Sequence, residues 1–426
     1  MLALVLFGMF FVLIAFNIPI AVSLGLSTLV GVVVGGFPLQ MFPTIFYSAM
    51  GKFALLAIPF FILAGVIMDY AGISKRLIDF ARVAVGHRKS GLVSVVVIVA
   101  CFFAAISGSG PATVAALGSV LIPAMVAAGY DIGMASALLS ASGSIGIIIP
   151  PSIAYIVYAS IADVSVGKMF AAGIIPGIVV GIAYVIVAIW ISRNNKNIVK
   201  QEKASTEEFW KAFKGAIWGL ITPVIILGGI YSGVFTPTEA AGVAVVYSLI
   251  VGIFIYKEIK IRDLKNLFFD AAISSGTVMY IIACASVFAW LLTASHIASD
   301  LSAGMLSISS NKYVILALIN IVFLIAGCFL DAASAFYILL PIMLPIVRAL
   351  EIDPIQFGIF ITINLAIGLI TPPVGINLYV ACNIAKIPVS RLIQKIGPFV
   401  VAGIVALLLV TYIPAIAQFL PNIIYK

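Results

Sequence analysis

Ionisable side chains are what this chain lacks most. Its 426 residues carry 23 Lys and Arg, 15 Asp and Glu and 2 His, so 9% are charged while 64% are hydrophobic. Soluble domains carry about 25% charged residues, and so low a share excludes one. His87 and His296 stand far apart and offer no histidine pair for zinc or acid–base chemistry. Cys101, Cys284, Cys328 and Cys382 lie singly in apolar stretches, where they read as small buried hydrophobes and not as a disulfide framework. No charge precedes Lys52, so the basic start of a secretory signal is missing. The net charge of +8 would suit an acidic partner, but its distribution has a plainer reading below, and nothing points to nucleic acid.

What is present is long apolar helix. Runs of about 20 apolar residues recur near 2–16, 19–35, 53–70, 91–128, 132–163, 168–192, 215–233, 239–256, 271–294, 313–347, 357–384 and 397–421. The chain therefore reads as an all-α polytopic membrane protein set in a lipid bilayer. Within these runs one unusual element occurs twice. SGSGPATVAALGSVLIP (107–123) leads to SASGSIGIIIPPS (140–152), and DAASAFYILLPIMLP (331–345) leads to INLAIGLITPPVGINLYVACN (363–383). A gap-free shift of 222 maps Pro123 onto Pro345, Asp131 onto Asp353, Gly146 onto Gly368, Pro150-Pro151 onto Pro372-Pro373, and Pro176 onto Pro398. Apolar segments interrupted at matching places in two halves mark a secondary transporter's binding site. Irregular backbone at membrane depth survives only inside protein or beside a wet cavity.

Charge then sets the topology. With the N-terminus outside, the segments 72–90, 193–214, 257–265 and 385–395 are cytoplasmic and hold 18 of the 23 basic residues. The bias requires 91–128 and 313–347 each to enter and leave on one side, as re-entrant hairpins of two half-depth helices. Ten spans and two hairpins result. Five spans precede the linker at 193–214, so the second half inserts upside down and the repeat is inverted. The linker carries a helix in which Glu207 and Lys211 can pair at i, i+4, with Trp210 and Phe213 at the interface. The basic amphipathic arm ISKRLIDFARVAVGHRK (73–89) is expected along the cytoplasmic surface, supporting the first hairpin.

Candidate chemistry sits at the interruptions. At the first tip, Ser107-Gly108-Ser109-Gly110-Pro111-Ala112-Thr113, the glycines permit a tight turn and Pro111 opens the returning helix. Ser107, Ser109 and Thr113 supply hydroxyl oxygens. The facing break, Ser142 to Pro151, frees carbonyls because Pro150 and Pro151 cannot donate hydrogen bonds. A single Pro-Pro is ordinarily a kink, but two at matching places, each after a polar tip, favour oxygens converging on a small hard cation such as Na⁺. In the second copy Asp331 stands in an apolar stretch, where a charge at the bilayer centre costs about 2.5–3.5 kcal/mol. It is an ion ligand, a helix N-cap, or both. Ser334, Asn364, Thr371, Asn377 and Asn383 surround it with polar groups. Helix N-termini with Thr371 or Asn377 would receive an anionic substrate. Glu239, Asp131 and Asp353 read as helix caps.

The signatures SGSGPATVAALGSVLIPAM, GIIIPPSIAYIVYA, FTPTEAAGVAVVYSL and GLITPPVGINLYV resemble the large membrane subunit of tripartite ATP-independent periplasmic (TRAP) transporters, along essentially the whole chain. The resemblance implies a subunit of the bacterial inner membrane, and the charge bias puts both termini in the periplasm. It would work with a small four-helix membrane subunit and a periplasmic substrate-binding protein, taking up an organic acid on a sodium gradient without an organic cofactor. Because the chain opens directly on the first helix of the repeat, the small subunit is expected as a separate chain. The resemblance also implies an elevator, in which a transport part slides against a scaffold. The scaffold is expected at 1–72 and 215–295, and arm plus transport part at 73–192 and 296–426. Sodium sites would fall on Ser107, Gly108, Ser109 and Gly110 with Ser142, Gly143 and Gly146. The second set would be Asp331, Ala332 and Ser334 with Asn364, Gly368 and Thr371. Substrate contacts would fall on Thr113, Ser152, Thr371, Gly375 and Asn377. Family members handle C4-dicarboxylates, sialic acids and other carboxylates, and overall likeness leans to sialic acid.

The nearest rival is a stand-alone sodium-coupled carboxylate transporter of the same fold. A channel would ordinarily build its pore by oligomeric symmetry, and an intramembrane enzyme would need a catalytic pair that is not here. The charge bias makes a direct prediction. In a background without native cysteines, Asn197→Cys and Lys386→Cys should react with an impermeant thiol reagent only from the cytoplasm; labelling of position 197 from outside would dismiss the inverted repeat.

Overall fold

A computed structural model describes residues 1–86, 91–193, 195, 198, 204–309 and 311–425. Positions 89 and 197 of the topology expectation lie outside the described residues, as does His87. Among the described residues there are twenty α-helices and no strand. The first half runs α1 (Leu2–Ala15), α2 (Ile20–Val34), α3 (Met41–Met50), α4 (Ala57–Tyr70), α5 (Ile73–Val85), α6 (Gly91–Ser107), α7 (Gly110–Ala127), α8 (Ile132–Ser144), α9 (Ile153–Ala162) and α10 (Val166–Ser192). The second runs α11 (Thr206–Tyr231), α12 (Pro237–Ile250), α13 (Leu264–Ala294), α14 (Ile297–Ile308), α15 (Lys312–Gly327), α16 (Ala332–Ala349), α17 (Pro354–Gly368), α18 (Ile376–Ala385) and α19 (Val389–Tyr412), followed by α20 (Pro414–Ile424).

The 222-residue shift survives in the helices. Adding it to the bounds of α7 gives 332 and 349, the bounds of α16, and adding it to the start of α8 gives 354, the start of α17. Packing is reciprocal as well. α18 packs on α7 and α8, while its counterpart α9 packs on α16 and α17. Buried aromatic rings fasten these crossings: Tyr158 meets Phe336 edge-on at 5.8 Å and Tyr184 meets Phe399 at 6.2 Å. The Tyr158 hydroxyl donates to the Pro354 carbonyl at 2.5 Å. Each half thus completes the other, and neither buries its broken helix alone.

Several expectations need correction. The hairpin arms are not half-depth: α6 and α7 have 17 and 18 residues, about 25–27 Å at 1.5 Å per residue. Both α7 and α16 are long and apolar enough to cross a membrane. The linker's interfacial helix is not separate, because Thr206–Lys214 runs on into α11, started by a Ser205–Glu208 capping box. The last run, 397–421, is two helices, since Pro414 ends α19 and opens α20. Helix α3 was not anticipated, because the apolar run was expected to begin at 53. α3 and α4 are parted by Gly51, Lys52 and a short 3₁₀ turn at Phe53–Leu56, whereas the matching stretch is continuous within the 31-residue α13.

The arm α5 is amphipathic as its sequence demands: Ile73, Leu77, Ile78 and Ala81 are buried, and it packs on α6 and α11. The expected caps are in place. Asp353 accepts from the Gln356 amide at 2.8 Å, and Thr236 and Glu239 form a capping box. Asp131 accepts from the Met134 amide at 3.0 Å and pairs with Arg391 at 2.9 Å, tying the start of α8 to α19. Burial opposes ionisation of Asp131, but Arg391 and the Met134 amide outweigh it and hold the carboxyl below its ordinary range. The outer surface carries exposed Leu4, Phe11, Ile186, Trp190, Val224, Phe254 and Val401, the side chains a lipid-facing belt requires.

Small residues set the closest approaches. A Cβ on Gly368 would run into the Gly327 backbone. Overpacking of this kind costs about 1–3 kcal/mol. Gly368→Ala is expected to lower the melting temperature of the purified protein by a few degrees, and Gly242→Ala, which has open space around it, should not. Equal melting of the two variants would show that α15 and α17 are free to separate.

Candidate functional site

The first tip is a two-residue reversal between α6 and α7. Gly108 has φ +61°, a conformation glycine adopts without strain. Pro111 sits in the first turn of α7, where its missing N–H is no loss. The Thr113 hydroxyl donates to the Ser109 carbonyl at 2.8 Å and lies 3.0 Å from Ser107 Oγ. Thr113 is fully buried and Ser107 nearly so.

The first break lies directly against this tip. α8 tightens into a 3₁₀ turn at Ile145–Ile147, and helix resumes at Ile153 after the cis Pro150–Pro151 bond. Ser152 Oγ satisfies the Ile147 carbonyl at 2.7 Å, and the Ile153 amide reaches the Gly108 carbonyl at 3.4 Å. A Cβ on Gly146 would stand 2.7 Å from the Ser109 carbonyl oxygen and 2.8 Å from Thr113 Oγ1. Gly110 and Gly143 likewise face each other, the Gly143 oxygen lying 3.3 Å from where a Gly110 Cβ would be. Glycine is needed here because backbone meets backbone. The Ser142 hydroxyl is turned away, donating to Leu138 O of its own helix at 2.7 Å.

Asn377, grouped by sequence with the second copy, is inserted into the first. It is fully buried, its Nδ2 donates to the Ser140 carbonyl at 3.1 Å, and its Oδ1 lies 3.3 Å from the Gly110 Cβ position. Thr113, Ser152 and Asn377 are thus packed behind the tip, while Thr371 and Gly375 lie at the second break. Thr371 is partly exposed, and its hydroxyl bonds back to Ile367 O at 2.7 Å.

In the second copy Asp331 is an N-cap. Its carboxylate accepts from the Ala333 and Ser334 amides at 3.0 and 3.3 Å and from Ser334 Oγ at 2.5 Å. Ala332 begins the helix and is half-buried, and Ser334 is fully buried. Asn364 is fully buried and donates to Asn320 Oδ1 at 2.8 Å and Phe360 O at 2.9 Å, while its own Oδ1 meets no donor. Asn320 continues to Thr411 Oγ1 at 3.2 Å, and Gln356 reaches Thr411 O at 3.0 Å. Among the described residues no hydrogen bond links Asp331 or Ser334 to Asn364 or Thr371, and no three His, Cys, Asp or Glu side chains cluster as metal ligands. Sequence reading missed Asn320. The one signal was an amide inside a 16-residue apolar helix, and the repeat did not echo it, since the matching position is Ile98.

A cavity of about 420 Å³ separates the first hairpin from α4 and α13. Ser107, Ser109 and Ala112 line one wall, and Asp69, Tyr70, Asp270 and Ser274 the other. The Tyr70 hydroxyl donates to Asp270 at 2.6 Å, and Ser74 donates to Asp69 at 3.1 Å. No Lys, Arg or His is among the lining residues. Asp69 and Asp270 are not among the residues that the sequence singles out; each lies at the edge of an apolar run, 53–70 or 271–294.

Comparison with known proteins agrees with this architecture. The sequence profile of the tripartite ATP-independent periplasmic transporter DctM component matches residues 7–416. The chain is 38% identical to the C4-dicarboxylate TRAP transporter large permease protein DctM of Rhodobacter capsulatus, over 99% of each protein. It is 41% identical to the isethionate TRAP transporter permease protein DctMQ of Oleidesulfovibrio alaskensis over 97% of its own length, and spans 66% of that longer relative. In fold it is similar to the Alcanivorax borkumensis YdaH transporter, with a TM-score of 0.65 at 16% identity over 88% of each chain. With the family profile covering nearly every helix of the repeat, the chain belongs to the large permease (DctM) family of TRAP transporters: it is a multi-pass membrane transport subunit rather than an enzyme.

Proposed function

We propose that this permease imports an organic acid by sodium symport across the bacterial inner membrane, with its substrate handed over by a periplasmic binding protein and its scaffold enlarged by a small membrane subunit. The observation that carries the reading is the cavity at the first tip, which has two carboxylates on one wall and no basic side chain. An organic anion entering there meets like charge in a medium of reduced dielectric, where repulsion is stronger than in water. Cations travelling with it offset that repulsion. Oxygens of the tip and break suit a hard cation such as Na⁺, and the unpartnered Asn364 Oδ1 suits one at the second break.

The chain's own groups divide the work. Ser107 and Ser109 present oxygens toward the cavity, and the first-turn amides of α7 point toward an anion bound at its start. The hairpins with α8, α9, α17 and α18 form the part that moves, and α4 with α13 the part it moves against. Substrate identity is narrowed only to an organic acid: the C4-dicarboxylate and isethionate relatives are about equally similar, and sialic acid rests on overall likeness. The stand-alone sodium-coupled carboxylate transporter of the same fold is the second reading.

Two measurements test this. Asn caps helices about as well as Asp, so Asp331→Asn keeps the cap and removes the charge. It should raise the sodium concentration for half-maximal uptake at least tenfold, or abolish uptake, in a folded protein; unchanged sodium dependence would make Asp331 a cap alone. In proteoliposomes with a fixed sodium gradient, uptake should need both the small subunit and the binding protein. Full uptake of free substrate by this chain alone would transfer the assignment to the stand-alone reading.

A further inference from the structure

Asn377 is the second residue of α18, immediately after the second break. Three of its four polar groups are engaged. Its backbone amide donates to Leu369 O at 3.1 Å, its carbonyl accepts from Ser140 Oγ at 3.3 Å, and Nδ2 donates to Ser140 O at 3.1 Å. The fourth, Oδ1, has no donor, although the residue is 0% exposed. The amide orientation is fixed by chemistry: turning it over would set Oδ1 against the Ser140 carbonyl, acceptor against acceptor. Oδ1 therefore faces Gly110 of the first tip. It and the Gly143 carbonyl oxygen each lie 3.3 Å from the position a Gly110 Cβ would take, with a Leu369 methyl closing another side at 2.8 Å.

A buried acceptor without a donor is a rare and costly arrangement in a folded protein. The fold itself does not demand an amide here, because the repeat places Tyr155 at the matching position of α9. Side-chain amide oxygens and backbone carbonyls are the ligands hard cations take. We propose that Asn377 Oδ1 is a sodium ligand of the first hairpin's site, contributed by the opposite half of the chain. The inference rests on the reading that this hairpin binds sodium. It deepens that reading by making the site common to both repeats. Because Asn377 lies two residues beyond Gly375, an ion held at the first tip also holds the second break in place.

The test is sodium binding by the purified full chain in nanodiscs, read by thermal shift and calorimetry with NaCl against choline chloride at constant ionic strength. Asn377→Leu keeps the branching and number of heavy atoms and removes the oxygen; it should bind sodium at least tenfold more weakly. Asn377→Asp keeps an oxygen but loses the Nδ2 bond to Ser140. A ligand role predicts sodium affinity at or above wild type and a larger sodium-induced rise in melting temperature. Equal loss in both variants would show that Asn377 only positions α18 and would overturn the proposal, as would wild-type binding by Asn377→Leu. Should Asn377→Leu fail to fold, Asn377→Asp decides alone, and weaker binding than wild type overturns it. A wild-type chain with no response specific to sodium would defeat the sodium reading itself, and this inference with it.

Discussion

Every backbone N–H and C=O at membrane depth must find a partner within the protein, and this molecule interrupts its helices at four deep places. The rest of the architecture answers that constraint. The carbonyl of Ile147, freed near the first Pro-Pro, is met by Ser152 Oγ at 2.7 Å. The amide that restarts α9 reaches out of its own helix to Gly108 of the tip. At the second break the Asn377 amide closes on Leu369 O at 3.1 Å. In the first copy tip and break are therefore two halves of one hydrogen-bonded unit, and glycines at 108, 110, 143 and 146 let the two backbones come near enough to form it.

The same constraint explains what was legible in the sequence. Gly, Ser and Pro-Pro in long apolar runs are conspicuous, and a constant shift of 222 made the repeat readable residue by residue. The caps at Asp131, Glu239 and Asp353 were readable because capping is local, settled within three positions. Contacts across the repeat were not. Asn377 and Ser140 are 237 positions apart, and nothing in either neighbourhood says that one is the other's partner. Asn377 was placed with the second copy because it stands beside the second break in sequence, whereas reciprocal packing of α18 on α7 and α8 carries it to the first. Arm length was misjudged for a related reason. A polar interruption fixes where a hairpin turns, and leaves open how far its arms extend.

Scarce charge acquires a positional meaning once the fold is known. Asp331 spends both oxygens on the start of α16, and Asp131 joins α8 to α19 through Arg391. Asp69 and Asp270 do neither of these things; they stand on the wall formed by α4 and α13 opposite the first tip, each held by a single hydroxyl. The cavity between is acidic on one side and neutral on the other. Its negative charge therefore belongs to the α4 and α13 wall, and the tip that faces it offers only neutral hydroxyls.

The unequal treatment of one helix in the two halves has a consequence of its own. Gly51 and Lys52 divide α3 from α4, whereas α13 runs unbroken over 31 residues. The Lys52 ammonium also donates to Ser160 O at the end of α9, at 3.1 Å. One half of the frame is jointed there and tethered to α9, and the other is a single rod. The repeat is thus kept in its hairpins and broken helices and departed from in this helix, where one half can bend at a joint that the other lacks.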